Sequence, residues 1–367
     1  MEDVFRFADD LGPEKIVHLY EPRSGLRAVV AVDNTACGPA IGGVRMAPDV
    51  SAEEAFRLAR AMTLKSSAAG LPHGGGKSVI FADPKVPVEN KEALVRAFAR
   101  AIRQLSDYIP GPDMGTDERC MAWIKDEIGR STGLPPEIGG IPLDEIGATG
   151  FGLAVCIDRA RVFCGLDIKG ARVAVQGFGS VGRHAARFLA AKGAVIVAVA
   201  DSRVTLHHPD GLDLEALVEV KRANRPLSDH PGGKKLDRDA IVAVECDIWI
   251  PAARPDVVRA DNVGLLKTRL VVQGANIPVT PEAEDELHRR GVLSIPDFIA
   301  NAGGLICAAT EYAGGGEKAA FAAIEEKIGS NTTRVLEEAR KAAEPPRLAA
   351  VALARRRVLT AMGLRRR

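Results

Sequence analysis

Apolar positions follow two patterns along this chain. The first third mixes strand-like and helix-like spacing. Leu26 to Asp33 (LRAVVAVD) is a nearly unbroken apolar run and reads as a strand. Gly38 to Gly43 reads as a glycine-rich turn before Val44, Arg45 and Met46. Ser51 and Glu54 have the spacing of a capping box that opens a helix. Leu58, Met62 and Lys65 follow at i, i+4 and i+7, so they share one face, expected to turn toward the core. Gly70 is the expected stop, and Val79 to Phe81 a short buried strand. Asn90 to Leu105 predicts an amphipathic helix with Leu94, Phe98, Ala101 and Leu105 on one side, and a further helix is expected to begin near Thr116.

Ser131 to Gly147 is rich in Pro and Gly and reads as a linker. Beyond it strands alternate with helices. After a helix from Gly150 to Cys164, strands are expected at Arg172–Gln176, Ala194–Ala200, Asp247–Pro251, Leu270–Gln273 and Val292–Ile295. Helices fall between several of them, such as Val181–Ala191 and Pro281–Arg289. This predicts an α/β chain of two domains, the second a Rossmann-type doubly wound parallel sheet. The expected division is 1–140, 141–328, and a C-terminal helical segment, 329–367, returning to the first domain.

Composition narrows the class. Lys+Arg total 49 and Asp+Glu 48, so charge favours neither nucleic acid nor an anionic membrane as partner. The basic end (Arg355 to Arg357, Arg365 to Arg367) then reads as a solvated helix terminus. No apolar run is long enough to span a bilayer, and MEDVFRFADD lacks the pattern of a signal peptide. The six cysteines form no C-x-x-C pair, which fits reduced thiols in a cytoplasm and argues against structural zinc. No metal is expected.

Two stretches carry candidate chemistry. The first brings Lys65, on a helix face, near Lys77, which follows Gly74, Gly75 and Gly76. A lone lysine near a helix C-terminus usually complements the dipole, but three consecutive glycines usually let something approach the backbone closely. GGGKS is not a phosphate loop: Leu71 stands where that motif needs glycine, and a strand rather than a helix follows. Asp113 sits in a Pro/Gly-bounded loop before a helix, where a cap or turn residue is the ordinary reading. The second stretch is Gly177-Phe178-Gly179-Ser180-Val181-Gly182, which follows a strand and opens a helix; the next strand ends at Asp201, nineteen residues past Gly182. That is the full dinucleotide fingerprint: a tight turn at Gly177, close pyrophosphate approach at Gly179, helix–strand packing at Gly182 and ribose hydroxyls on Asp201. Asp201 favours NAD, although Arg203 could accept a 2′-phosphate.

Taken together, Gly38-Pro39-Ala40-Ile41-Gly42-Gly43-Val44-Arg45-Met46, Met62 to Lys65, Leu71 to Lys77, Pro112 to Thr116, Ala148 to Gly152, the GFGSVG turn, Gln273 to Asn276 and Asn301 to Gly304 resemble the glutamate, leucine, phenylalanine and valine dehydrogenase superfamily. The resemblance covers nearly the whole chain in order. It implies reversible oxidative deamination of an L-amino acid to a 2-oxo acid and ammonium. It also implies a substrate-binding and oligomerisation domain first, an NAD-binding domain second, and a homo-oligomer (hexamer or octamer). By resemblance Lys65 pairs with the substrate α-carboxylate, Lys77 and Asp113 are catalytic, Thr149 and Asn276 touch the nicotinamide end, and Asn301 walls cofactor from substrate. Gly42, Gly43 and Met62 line the substrate side.

The chemistry asks for these residue types. A free carboxylate wants a fixed cation, and water addition to an iminium wants a base near neutral pH. Lysine titrates near ~10.4, so Lys77 must fall by about 2–3 pH units, roughly 3–4 kcal/mol. A hydroxy-acid dehydrogenase would want a His–carboxylate base, for which no histidine is placed. A catalytically silent NAD-binding subunit would lack one of Lys65, Lys77 and Asp113. For the side chain, glutamate-specific relatives resemble this chain but carry lysine at the position of Ile41 and serine at that of Ala308. With Leu305 on the same segment, an apolar pocket is expected. The expected substrate is therefore leucine, valine or isoleucine, with glutamate, and less so phenylalanine, as the alternative. The stretches around Asp201 and Asp210 to Leu214 resemble glutamate dehydrogenases more than leucine ones.

Overall fold

The computed structural model describes residues 5–365. Met1 to Val4 of the acidic N-terminus, and Arg366 and Arg367 of the basic end, lie outside them. The chain forms two compact units. One comprises Met1–Leu143, Leu305–Ala320 and Val351–Arg367; the other Asp144–Gly304 and Phe321–Ala350.

The first unit is built from β1 (Lys15–Glu21), β2 (Leu26–Asn34), β3 (Ala40–Ala47), α1 (Ala52–Ala68), β4 (Gly74–Phe81), α2 (Val88–Ala101), β5 (Tyr108–Pro112) and α3 (Glu118–Ile128). Its sheet runs β1-β2-β4-β3-β5, with β1, β2 and β4 pairing antiparallel and β4, β3 and β5 parallel. Both faces are covered. Leu26, Val30, Val44, Ile80 and Tyr108 pack with Phe98 of α2 and Met121 of α3, while Val29, Ala31 and Val79 pack with Ala55 and Ala59 of α1. Burial on both faces is why β2 reads as an apolar run rather than an alternation.

Several sequence expectations change here. The glycines Gly42, Gly43 and Gly74–Gly76 lie inside β3 and β4, not in loops. They are glycines because neighbours approach too closely for a side chain: a Cβ on Gly75 would lie 2.1 Å from Thr63 N of α1. The core face of α1 is Ala55, Ala59, Thr63, Ser66 and Ser67, whereas Leu58, Met62 and Lys65 are half-buried on the flank. Close packing of α1 on the glycine strand admits only small residues, which hides the true face from an apolar periodicity. The capping box is half formed: Ser51 accepts the Glu54 N–H, but the Glu54 carboxylate goes to Arg45. α2 ends at Ala101, which is exposed, and its buried face runs through Val95 and Phe98. α3 opens later than Thr116, capped by Asp117. β5 was masked by Pro110 and Pro112, which an edge strand tolerates.

The second unit holds α4 (Ala148–Ala160), β6 (Arg172–Gln176), α5 (Ser180–Ala190), β7 (Val195–Ala200), β8 (Val204–His207), α6 (Leu214–Arg222), β9 (Lys234–Asp237), β10 (Ile248–Pro251), β11 (Leu270–Val272), α7 (Pro281–Arg289), β12 (Leu293–Ile295) and α8 (Asp297–Ala300). Its sheet runs β12-β11-β10-β6-β7-β8-β9, parallel as far as β7 and antiparallel over β8 and β9. The parallel strands stand within a residue or two of expectation. Two strands escaped the sequence reading: β9, a short edge strand with Lys234 and Lys235 exposed, has no apolar run, and β8 has only Val204 and Leu206 in four residues.

Three helices complete the chain: α9 (Gly303–Tyr312), α10 (Glu317–Ala342) and α11 (Pro346–Leu364). Arg357 of α11 donates to Ser67 O and Leu71 O at 2.9 and 2.8 Å, and so caps carbonyls at the end of α1. Among the described residues no helix is long and apolar enough to cross a membrane.

Candidate active site

The first unit gathers charged groups around the ends of β3, β4 and β5. Parallel pairing sets Val44 beside Ser78 and Gly43 beside Gly111, so Lys77 of β4 and Asp113, one residue past β5, converge on Gly43. Lys77 Nζ lies 3.1 Å from Asp113 Oδ1. Arg45 Nε donates to Asp113 Oδ2 at 2.7 Å, and Arg45 Nη1 pairs with Glu54 on α1. Gly43 leaves the room: a Cβ there would stand 2.7 Å from Asp113 Cβ and 3.1 Å from Lys77 Nζ. Thr116 fixes the turn, its hydroxyl donating to Val44 O at 2.7 Å and accepting from Asp113 N at 3.1 Å.

Electrostatics follow from this packing. The Lys77 side chain is 7% exposed. Burial pulls its pKa below the ordinary 10.5, the Arg45 charge pushes the same way, and the Asp113 carboxylate opposes both. Burial would raise the Asp113 pKa, but Lys77 and Arg45 outweigh it and hold the carboxyl below 3.8. A buried lysine that gives up its proton more readily than a solvated one, beside an ionised carboxylate, has the make-up of a pair that takes a proton from water and passes protons to and from an amine. Tyr108 is pushed above its usual range by burial and remains a neutral donor to Gly42 O at 2.9 Å.

Other expected positions belong to the same unit. Lys65 is half-buried near the C-terminus of α1, and Met62 is half-buried a turn before it. Ile41 is 2% exposed in β3 and pairs with Gly75 and Ile109. Leu305 and Ala308 are buried on α9, and Ala308 O accepts from Thr132 Oγ1 at 2.8 Å. The α9 carboxylate of Glu311 accepts N–H bonds from Gly133 and Ile141, both at 2.8 Å, and so fixes the helix to the 131–141 segment.

The second unit carries the turn after β6. Gly177 has φ +97°, and Cβ on Gly182 would strike Gly177 O at 2.0 Å. A Cβ on Gly179 would meet nothing within 4 Å, so the turn is open there. No side chain caps α5, which leaves its first N–H groups, those of Ser180, Val181 and Gly182, for an anion, before Arg183 N begins the helix ladder at Gly179 O. Asp201, just past β7, accepts from Arg203 N and Val204 N at 2.9 and 3.1 Å and from Leu227 N at 3.3 Å. Its carboxylate is thus oriented by the turn that follows. Asn301 Nδ2 donates to Asn276 Oδ1 at 3.1 Å, while Asn301 Oδ1 is buried with no donor among the described residues. Thr149, at the N-terminus of α4, packs against Gly303. Arg347 ties this region together, donating to Gln273 Oε1 and Asp297 Oδ1 at 3.0 Å each and to Glu284 Oε2 at 2.8 Å. Asp297 Oδ2 in turn accepts Ile277 N at 2.8 Å. These groups fit a dinucleotide: an open glycine turn at a helix N-terminus, a strand-end acid and an orphaned amide oxygen.

Sequence reasoning passed over Arg45 as a partner of Asp113, and also Glu54, Thr116, Glu311 and Arg347. Arg45 stands two residues after Gly43 in the strand that carries the site, which was its one local signal.

Residues 139–366 match the Glutamate/Leucine/Phenylalanine/Valine dehydrogenase family, and residues 13–130 match the Glu/Leu/Phe/Val dehydrogenase dimerisation domain. The chain is 39% identical over 356 residues to glutamate dehydrogenase of Aeropyrum pernix, covering 90% of this chain and 85% of that one. It is 41% identical over 297 residues to the NADP(+)-dependent glutamate dehydrogenase of Pyrobaculum calidifontis, covering 76% and 70%. Among solved structures, hetero-hexameric glutamate dehydrogenase from Thermus thermophilus in its Leu-bound form superposes with a TM-score of 0.86 at 30% identity, over 97% of this chain and 90% of that one. A doubly wound unit with an open dinucleotide turn, a lysine–aspartate pair in a separate α/β unit, and relatives of this extent agree: the chain belongs to the Glu/Leu/Phe/Val amino-acid dehydrogenase family.

Proposed function

We propose that this protein catalyses the reversible oxidative deamination of an L-amino acid to its 2-oxo acid and ammonium, with Lys77 and Asp113 as its catalytic residues. The observation that carries the reading is the Lys77–Asp113 pair, a buried lysine against a half-buried aspartate, with the lysine pKa lowered and the aspartate ionised. Asp113 takes a proton from the substrate ammonium group and returns it to the amino nitrogen when the C–N bond breaks and ammonia leaves. Lys77, neutral, takes the proton of the water that adds at Cα. Lys65 supplies the fixed cation for the α-carboxylate. A bound dinucleotide would supply the hydride acceptor; Gly177, Gly179 and Gly182 would hold its pyrophosphate, and Thr149, Asn276 and Asn301 would face its nicotinamide. Asp201, as a strand-end carboxylate, favours NAD by binding ribose hydroxyls and repelling a 2′-phosphate. The Pyrobaculum relative is named NADP(+)-dependent, so both cofactors belong in the assay. The protein assembles as a homo-oligomer through its first unit, a hexamer or octamer. Its six unbridged cysteines support a reducing cytoplasm.

The names of the relatives support L-glutamate as substrate, better than the branched-chain expectation drawn from the sequence. A second reading, an aliphatic side chain, rests on a specific observation. Ile41 and Ala308 are apolar and buried, and the nearby cation Arg45 is already engaged by Asp113 and Glu54. A γ-carboxylate buried without a partner costs several kcal/mol. An absorbance assay at 340 nm decides, with an amino-acid panel and each cofactor. Glutamate turning over at least as fast as leucine, by kcat/KM, establishes the first reading. A preference of ~10²-fold or more for leucine, valine or isoleucine establishes the second. Turnover of no amino acid refutes the proposal.

A further inference from the structure

Asp113 is held by two cations that differ in kind. Lys77 touches Oδ1 and Arg45 touches Oδ2, so the carboxylate is gripped from both sides. Arg45 is itself anchored on α1 through Glu54, and its side chain is 19% exposed against 7% for Lys77. A lysine–aspartate pair on its own titrates as a unit: when the lysine loses its proton, the buried carboxylate loses its countercharge and draws a proton back. Arginine does not deprotonate in this range. Its presence separates the two titrations.

We propose that Arg45, held by its own bond to Asp113, is a positioning residue that keeps Asp113 ionised and turned toward the reacting nitrogen while Lys77 is neutral. This rests on the deamination reading for its consequence in catalysis, but its electrostatic content stands apart from any substrate. Among the described residues, the groups that face the Lys77–Asp113 pair include Arg45 from β3, Glu54 from α1 and Tyr108 from β5. Tyr108 stays neutral. Arg45 pushes the Lys77 pKa down, while Asp113 and Glu54 push it up. Arg45 keeps its bond to Asp113 when Glu54 is neutral, so removing the Arg45 charge and removing the Glu54 charge move Lys77 in opposite directions.

The test measures Lys77 directly, without turnover. Competitive labelling with acetic anhydride across pH, read by mass spectrometry, gives its pKa in the full-length protein. Arg45→Gln should raise that value by about 1 pH unit, as expected for loss of a like charge within hydrogen-bonding distance of the same carboxylate. Glu54→Gln should lower it by a few tenths, the smaller effect of a partly exposed group. Arg45→Lys, which keeps the charge but not the fork, should leave it within about 0.3 of wild type. The acid limb of kcat/KM should follow: R45Q should lose about tenfold below the limb and recover at higher pH, while R45K should lose kcat without moving the limb. An unchanged Lys77 pKa in R45Q, or equal rises in R45Q and R45K, overturns the proposal. Should R45Q not fold, a rise or no change in E54Q overturns it. A protein inert toward every amino acid that still shows the labelling shifts would refute the deamination reading and leave this inference standing.

Discussion

Replacing Gly43 by alanine tests the geometry of the site at a residue that carries no chemistry of its own. The new Cβ would stand 2.7 Å from Asp113 Cβ, 3.1 Å from Lys77 Nζ and 3.1 Å from Pro112 O, where ordinary contact begins near 3.4 Å. Gly43 does not need a positive φ, so the backbone of β3 accepts alanine without dihedral strain. The strain is steric and local. Pro112 belongs to β5, paired with β3, and yields little, so Asp113 must withdraw by about 0.7 Å. Overpacking of this kind costs about 1–3 kcal/mol of stability. A displacement approaching 1 Å at the reacting groups lowers turnover on the order of 10²-fold. The variant should melt a few degrees lower, bind NADH as wild type, and lose kcat in the 340 nm assay by ~30- to 100-fold. Retention of more than half the wild-type kcat would show that Asp113 and Lys77 need not be held as close as the structure places them.

Lys77→Ala should reduce kcat by ~10²-fold or more while leaving NADH binding intact, because the glycine turn belongs to the other unit; residual activity above about a tenth of wild type would remove Lys77 from the mechanism. The lowered Lys77 pKa sets a sign in pH: its neutral form appears below the ordinary 10.5, so kcat/KM should rise with pH through an apparent pKa under that value, and a limb at or above 10.5 would contradict the burial argument. Asp201→Ala should weaken NADH more than NADPH, read as a fall in the ratio of the two affinities by fluorescence titration; equal affinities before and after would deny Asp201 a cofactor role. The double variant Ile41→Lys, Ala308→Ser should shift the kcat/KM ratio of glutamate over leucine upward by at least ~10-fold, and no shift would place the side-chain pocket elsewhere.

The five parallel strands of the second unit were legible in local pattern alone, while β8 and β9 were not. Parallel strands buried on both faces are written as apolar runs, and the helices between them as period-3.6 segments, so local pattern and final structure coincide. The dinucleotide turn was equally legible, because Gly177, Gly179 and Gly182 answer constraints set within a few residues of chain. Lys77 and Asp113 could be named from their motifs, but nothing local showed what surrounds them. The glycines before Lys77 looked like a loop and are a strand, since the reason for them is the neighbouring helix, not a turn. The stripe of Leu58, Met62 and Lys65 looked like a core face, because the residues that do face the core, Ala55, Ala59 and Thr63, are small and carry little hydrophobic signal. Glu54 looked like a cap and is the anchor of Arg45. Arg45, Asp113 and Lys77 are far apart in the chain and meet only through the parallel register of β4, β3 and β5. Tertiary structure alone decided that meeting, because the pKa of a buried lysine depends on which charges the fold leaves beside it and on how much water it removes.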